Sequence, residues 1–124
     1  MGEFDGGKPF DLEERTELFA KEVRALLRRV PRTISHEEDG RQLIKSSGSV
    51  AANYIEAREA LSKKDFRMRI RISRKESKES GLWLRLLHLE SNPELSRERD
   101  GLVAESLELV KIFTAILKRS DDKN

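Results

Sequence analysis

Apolar side chains recur along this chain at steps of three and four, and residues that start or stop helices stand between those stretches. Phe19, Val23, Leu26 and Val30 step by four, three and four, which is one face of an α-helix. Asp11 stands where an N-cap would, with Glu14 as its capping-box partner. Arg28 and Arg29 suit the negative end of the helix dipole, and Pro31 disfavours continuation at Val30. The spacing predicts a first helix over about Leu12 to Arg29. Ser35 with Glu38 repeats the capping-box pattern and opens a second helix expected to reach about Ala60. Its apolar or small positions are Leu43, Ser47, Val50, Tyr54 and Leu61.

Ser62 with Asp65 is the third N-terminal signal. Phe66, Ile70, Ser73, Ser77, Ser80, Leu84 and Leu87 then form one seam of a helix expected to end near Glu90, roughly 40 Å long at the α-helical rise. Asn92-Pro93 supplies an N-cap followed by proline at the first helical position. The fourth helix carries Leu102, Val103, Leu107, Val110, Phe113, Thr114 and Leu117, with an interruption expected at Gly101 and an end at Lys118 and Arg119. No stretch alternates with a period of two. The fold class is all-α, an antiparallel up-down-up-down four-helix bundle, because connectors this short force neighbouring helices to run antiparallel. Residues 1–10 read as a flexible N-terminal lead-in, 11–119 as the bundle and 120–124 as a polar tail.

The middles of the second and third helices are thin. Ser46, Ser47, Gly48, Ser49, Ala51 and Ala52 face a seam that holds Ser73, Ser77, Ser80 and Gly81. Each helical glycine costs about 1 kcal/mol against alanine. Close approach of two helices is the compensation expected for it.

Composition narrows the function. Charged residues are 39% of the chain and the hydrophobic set 36%, yet 25 Lys and Arg face 23 Asp and Glu, for a net charge of +2. Binding of nucleic acid by bulk charge is therefore excluded, while a local basic face is not. With no cysteine there is no disulfide, thiolate metal site or cysteine nucleophile. The longest stretch free of Asp, Glu, Lys and Arg runs from Ser46 to Ile55, far short of the roughly 20 residues of a membrane span. No membrane contact is expected, and a cytoplasmic home is the simplest reading.

Catalytic chemistry finds little to use. His36 and His88 are the only histidines, and the residues three before them are Thr33 and Arg85, so the Glu-x-x-His pairs of di-metal bundles are absent. His36, beside a helix start, reads as a solvent residue. Ser46-Ser47-Gly48-Ser49 lacks the strand-turn-helix setting of a nucleophile elbow. We expect no enzyme, no catalytic residue, no metal and no cofactor. Tyr54 and Trp83 sit at apolar helical positions, where packing outweighs base stacking.

The third helix concentrates charge. Between Ser62 and Lys78 it carries eight cations against two anions. Arg67, Arg71, Arg74, Lys78 and Arg85 form a stripe flanked by Lys64 and Lys75, suited to tracking phosphates. A solvated face, or one paired with acids of a neighbouring protomer, is the competing reading. The other flank projects Asp65, Ile72, Glu76, Glu79 and Trp83, with Met68 and Leu86 further round. Ile72, Trp83 and Leu86 suggest a second burial surface. Two unlike patches in contact give head-to-tail association, which closes into a ring where the rotation permits. Trp83 capping the monomer core is the alternative.

Two stretches carry a resemblance. Gln42-Leu43-Ile44-Lys45-Ser46-Ser47-Gly48-Ser49-Val50-Ala51-Ala52-Asn53-Tyr54-Ile55-Glu56-Ala57 is one. Ser62-Lys63-Lys64-Asp65-Phe66, continuing through Lys75-Glu76-Ser77-Lys78-Glu79-Ser80 to Trp83-Leu84-Arg85-Leu86-Leu87, is the other. Together they resemble the bacterial four-helix-bundle proteins encoded in 23S rRNA intervening sequences, over roughly Phe10 to Arg119. That resemblance implies a bundle fold and ring-like homo-oligomers, notably pentamers, with no catalytic motif. A distantly similar bundle is the accessory protein of diversity-generating retroelements, where a basic surface serves nucleic acid and a reverse transcriptase. The matching basic positions here are Lys63, Lys64, Arg67 and Arg71. The expectation is a non-enzymatic oligomeric bundle binding RNA or DNA through Lys63, Lys64, Arg67, Arg71, Arg74, Lys75 and Lys78. A protein-binding scaffold without a nucleic-acid role is the alternative.

Overall fold

Local signals start the helices, and a long-range contact ends the third. The computed structural model describes residues 11–122, in four helices: α1 Leu12–Leu27, α2 Ile34–Arg58, α3 Lys63–Leu86 and α4 Pro93–Asp122. The expected lead-in at 1–10 and the last two residues of the expected tail lie outside the described residues. Asp11 caps α1 by accepting from the Glu14 N–H at 2.8 Å, and Ser62 caps α3 by accepting from the Asp65 N–H at 3.0 Å. Asn92 accepts from the Leu95 N–H at 3.1 Å ahead of Pro93. At α2 the cap is Thr33, bonded to the His36 N–H at 3.0 Å, rather than Ser35. Thr33 is extended (φ −134°, ψ 167°), the geometry a cap needs, and Ser35 is already inside the helix.

Neighbours in sequence are neighbours in space, and α4 closes back on α1. Contacts that cross in reverse order make each pair antiparallel. Ser46 meets Ser80 while Asn53 meets Arg69, and Arg74 meets Thr114 while Arg67 meets the Leu117 carbonyl. Arg15 forks onto Glu105 at 2.7 and 2.9 Å and Arg29 onto Glu98 at 2.8 Å, which ties α1 to the first half of α4. Donating to the Glu105 carboxylate raises the Arg15 pKa above its ordinary value, with partial burial opposing.

The core runs through Phe19, Val23 and Leu26 of α1, Leu43 and Val50 of α2, Ile70 and Leu84 of α3, and Leu109 and Phe113 of α4. Tyr54 packs against Phe113 with ring centroids 6.2 Å apart, and its burial pushes the phenol pKa up. Where the helices are thin they do approach. The Ser46 and Ser80 hydroxyls meet at 2.8 Å and the Ser73 hydroxyl donates to the Val50 carbonyl at 2.9 Å. A Cβ on Gly81 would stand 2.8 Å from the Ser106 Oγ, so α3 and α4 can touch there only through glycine.

Four expectations need correcting. Leu61 is fully exposed, beyond the end of α2, and Ala57 takes the buried place in that seam. On α4 the buried face is Leu102, Ser106, Leu109, Phe113 and Leu117, while Leu107 is 52% exposed. Gly101 does not interrupt α4, which runs on to Asp122, because an exposed glycine with open space around it needs no break. The third helix ends at Leu86 rather than near Glu90. Arg99 of α4 donates to the Leu84 carbonyl at 3.1 Å and the Leu87 carbonyl at 2.8 Å, satisfying the helix end. The chain then turns extended at Leu87 and buries Leu87 and Leu89.

His36 is the other surprise, buried rather than facing solvent. Its Nε2 accepts the His88 N–H at 3.1 Å, so Nδ1 carries the proton and donates to the Pro31 carbonyl at 2.8 Å. One imidazole thus ties the α1–α2 connector to the α3–α4 connector. Replacing it with alanine leaves a backbone donor and acceptor without partners, at a cost of about 1–3 kcal/mol. Urea unfolding of His36→Ala reads this as a lower midpoint at unchanged slope.

Candidate nucleic-acid interface

The cations of α3 divide by their angle round the helix. Ile70, Ser77 and Leu84 point into the core; Arg71, Lys78 and Arg85 each follow one of them by one residue, about 100° round the helix, and Lys64 stands seven residues before Arg71 on the same line. All four are exposed, and none makes an ion pair or hydrogen bond among the described residues. They recur every seven residues, so successive charges stand about 10.5 Å apart along one line. That step equals about three nucleotide rises of ~3.4 Å on one strand.

Arg67 and Arg74 sit between that line and the seam, turned toward α4. Arg67 donates to the Leu117 carbonyl at 2.7 Å and pairs with Asp121 at 3.0 Å, with its side chain only 14% exposed. It closes the C-terminal end of α4, where a cation suits the exposed carbonyls. Arg74 reaches the Thr114 Oγ1 at 3.4 Å. Lys75 is exposed and lies 3.4 Å from Glu76. Lys63 stands exposed at the first position of α3. Arg69, on the other shoulder, crosses to the Asn53 Oδ1 at 2.9 Å. The structure therefore does not bring the seven expected residues into one free face. Lys64, Arg71 and Lys78 stand outward, Arg85 joins them, and Arg67 and Arg74 serve the α3–α4 contact.

The remaining outer surface of α3 is partly apolar. Met68, Leu82 and Leu86 are exposed, Leu86 by 51%. Ile72 is half-buried and Trp83 packs against the core. Of the three residues expected at an oligomer interface, Leu86 is thus the one most open. Glu76 is largely covered and Glu79 exposed.

Three arginines that the sequence reading passed over do structural work. Arg99 ends α3 as described. Arg24 donates to the Ala20 carbonyl, the Ser47 Oγ and the Ile44 carbonyl, and a Cβ on Gly48 would come within 3.3 Å of its guanidinium. Arg69 has been placed above. Arg69 and Arg99 each lie four residues from a buried position on their own helix, Ser73 and Leu95, and Arg24 directly follows buried Val23; the sequence carries no sharper signal that these stems cross a seam.

Among the described residues no cluster of three or more His, Cys, Asp or Glu is arranged to hold a metal ion. Among the same residues no helix is long and apolar enough to cross a membrane.

Comparison with known proteins agrees with this picture at the level of the fold. The sequence model described as 23S rRNA-intervening sequence protein matches residues 10–111. A search of curated proteins finds no match. A solved structure of a protein of unknown function from the S23 ribosomal protein family of Bacteroides thetaiotaomicron is similar, with a TM-score of 0.73 at 24% identity. The alignment covers 86% of this chain and 97% of that one.

Proposed function

The chain belongs to the 23S rRNA-intervening sequence protein family, and from that premise we propose that it is a non-enzymatic bundle whose third helix binds RNA or DNA. The observation that carries the reading is the outward line Lys64, Arg71, Lys78 and Arg85, left without acidic partners among the described residues. Side chains so placed neutralise phosphates and release counterions, which makes binding steeply dependent on salt. Four phosphate contacts give a log-affinity against log-salt slope of about −3 to −4 on duplex DNA. Filter binding to RNA and DNA across a salt series measures it. Failure to bind either at low salt rejects the reading and favours the scaffold alternative, for which a protein such as a reverse transcriptase is the kind of partner. A cytoplasmic place suits either reading.

Association accompanies this proposal. Exposed Met68, Leu82 and Leu86 lie beside the cation line, an apolar strip of the kind that copies of one chain bury between them. Contact between this strip and an unlike surface of a second copy builds a ring, with a pentamer as the size the family likeness suggests. Leu86→Lys, placing a charge at the most open of these positions, is expected to convert the oligomer to monomer without unfolding it. Native mass measurement decides, and a monomeric parent protein at high concentration refutes association.

A further inference from the structure

On the side turned away from the core, α3 carries a second seam. Met68, Ile72, Lys75, Glu79, Leu82 and Leu86 step by four, three, four, three and four, one helix face about half a turn from Ile70, Ser77 and Leu84. Ile72 is half-buried and the other five are exposed. This spacing is that of a two-stranded coiled-coil seam. Read from either end, it runs through two apolar positions, two charged ones and two apolar ones, and the two charges are opposite in sign. Laid antiparallel on a second copy, Met68 of one chain meets Leu86 of the other, Ile72 meets Leu82, and Lys75 meets Glu79. Each contact occurs twice, as a two-fold interface requires.

The edges of the seam are unlike. Arg71, Lys78 and Arg85 follow one edge, and Arg69, Glu76 and Trp83 the other. Antiparallel pairing sets like edge beside like edge, so the cation lines of two copies come to lie side by side. We propose that two copies pair in this way on nucleic acid, whose phosphates run along the joined lines. The proposal rests on the nucleic-acid reading above and deepens it, because the site is complete only when the second copy adds its cations. In the protein alone the facing cations repel, which leaves the strip to the unlike surface of the ring. A polyanion between them turns that repulsion into attraction, so nucleic acid and self-pairing strengthen each other by the same factor.

The test uses the full chain and a duplex of about 12 base pairs, about 40 Å long and so close to the ~36 Å of α3. Native mass measurement at low salt is expected to show two copies per duplex, with the one-copy complex scarce. Glu79→Lys adds positive charge, yet it sets like charges across the seam and is expected to weaken binding about tenfold. Lys75→Glu weakens it too, and the two changes together restore it, since each position again faces its opposite. Both side chains are exposed, so the fold is not at stake. Tighter binding by Glu79→Lys, one copy per duplex, or a ring that keeps its subunit number on DNA overturns this inference and leaves the cation line standing. No binding of duplex or single strand by the parent protein overturns the underlying reading instead.

Discussion

Phe113→Ala is expected to destabilise the bundle by about 3–5 kcal/mol, the cost of emptying a fully buried phenylalanine site. The side chain is 0% exposed, and its ring meets Tyr54 of α2 across the core. The pair joins helices that do not otherwise pack side by side. It lies on the second half of α4, beyond the stretch that Arg15 and Arg29 tie to α1. A loss of that size is a large part of the about 5–15 kcal/mol that holds an ordinary domain together. Thermal unfolding followed by circular dichroism should show the transition falling well below that of the parent. Leu107→Ala, on the same helix and 52% exposed, is the control and should change it little.

The largest functional effect is expected from replacing Lys64, Arg71 and Lys78 together with alanine. Charge-assisted contacts contribute about 1.5–3 kcal/mol each where they form, so losing three weakens nucleic-acid binding at low salt by about 2,000-fold or more. The melting temperature should hold, because none of the three makes a hydrogen bond or ion pair among the described residues. Arg67→Ala makes the contrast. It removes the group that closes α4 at the Leu117 carbonyl and Asp121, so its effect falls on stability more than on the salt dependence of binding. Were the stripe a single undivided surface, the two variants would behave alike.

What the sequence made legible follows from how local each interaction is. Asp11, Ser62 and Asn92 cap the helices expected of them, because a cap bonds within three residues of itself. The close packing of α2 on α3 was readable from Ser46, Ser73, Ser77 and Ser80, since small residues in register on two helices with a short connector have few other uses. Helix ends were less readable. The end of α3 is made by Arg99, some twelve residues on, and by the burial of Leu87 and Leu89 in the connector. The phase of α4 slipped at its middle. Leu102, Val103, Leu107 and Val110 are as well spaced as the true face, and the residue that completes that face, Ser106, is polar. It is buried because Gly81 brings α3 against it.

The candidate site was half legible for the same reason. The excess of cations between Ser62 and Lys78 is a matter of counting. Their division is a matter of angle: Arg67 and Arg74 differ from Arg71 and Lys78 by about 40° of helix, enough to turn them onto α4. Reading the cations as a stripe with steps of three and four merges the two sets. Reading them as heptads, Lys64 with Arg71, Lys78 and Arg85, separates them.

A salt titration of the parent protein beside the Lys64, Arg71 and Lys78 alanine variant tests the central claim most directly. Between 50 and 200 mM salt the parent should lose about 150-fold in affinity for duplex DNA and the variant about threefold, as four contacts fall to one. Two parallel lines on the log–log plot would contradict the account, for they would place the phosphates on some other surface of the bundle.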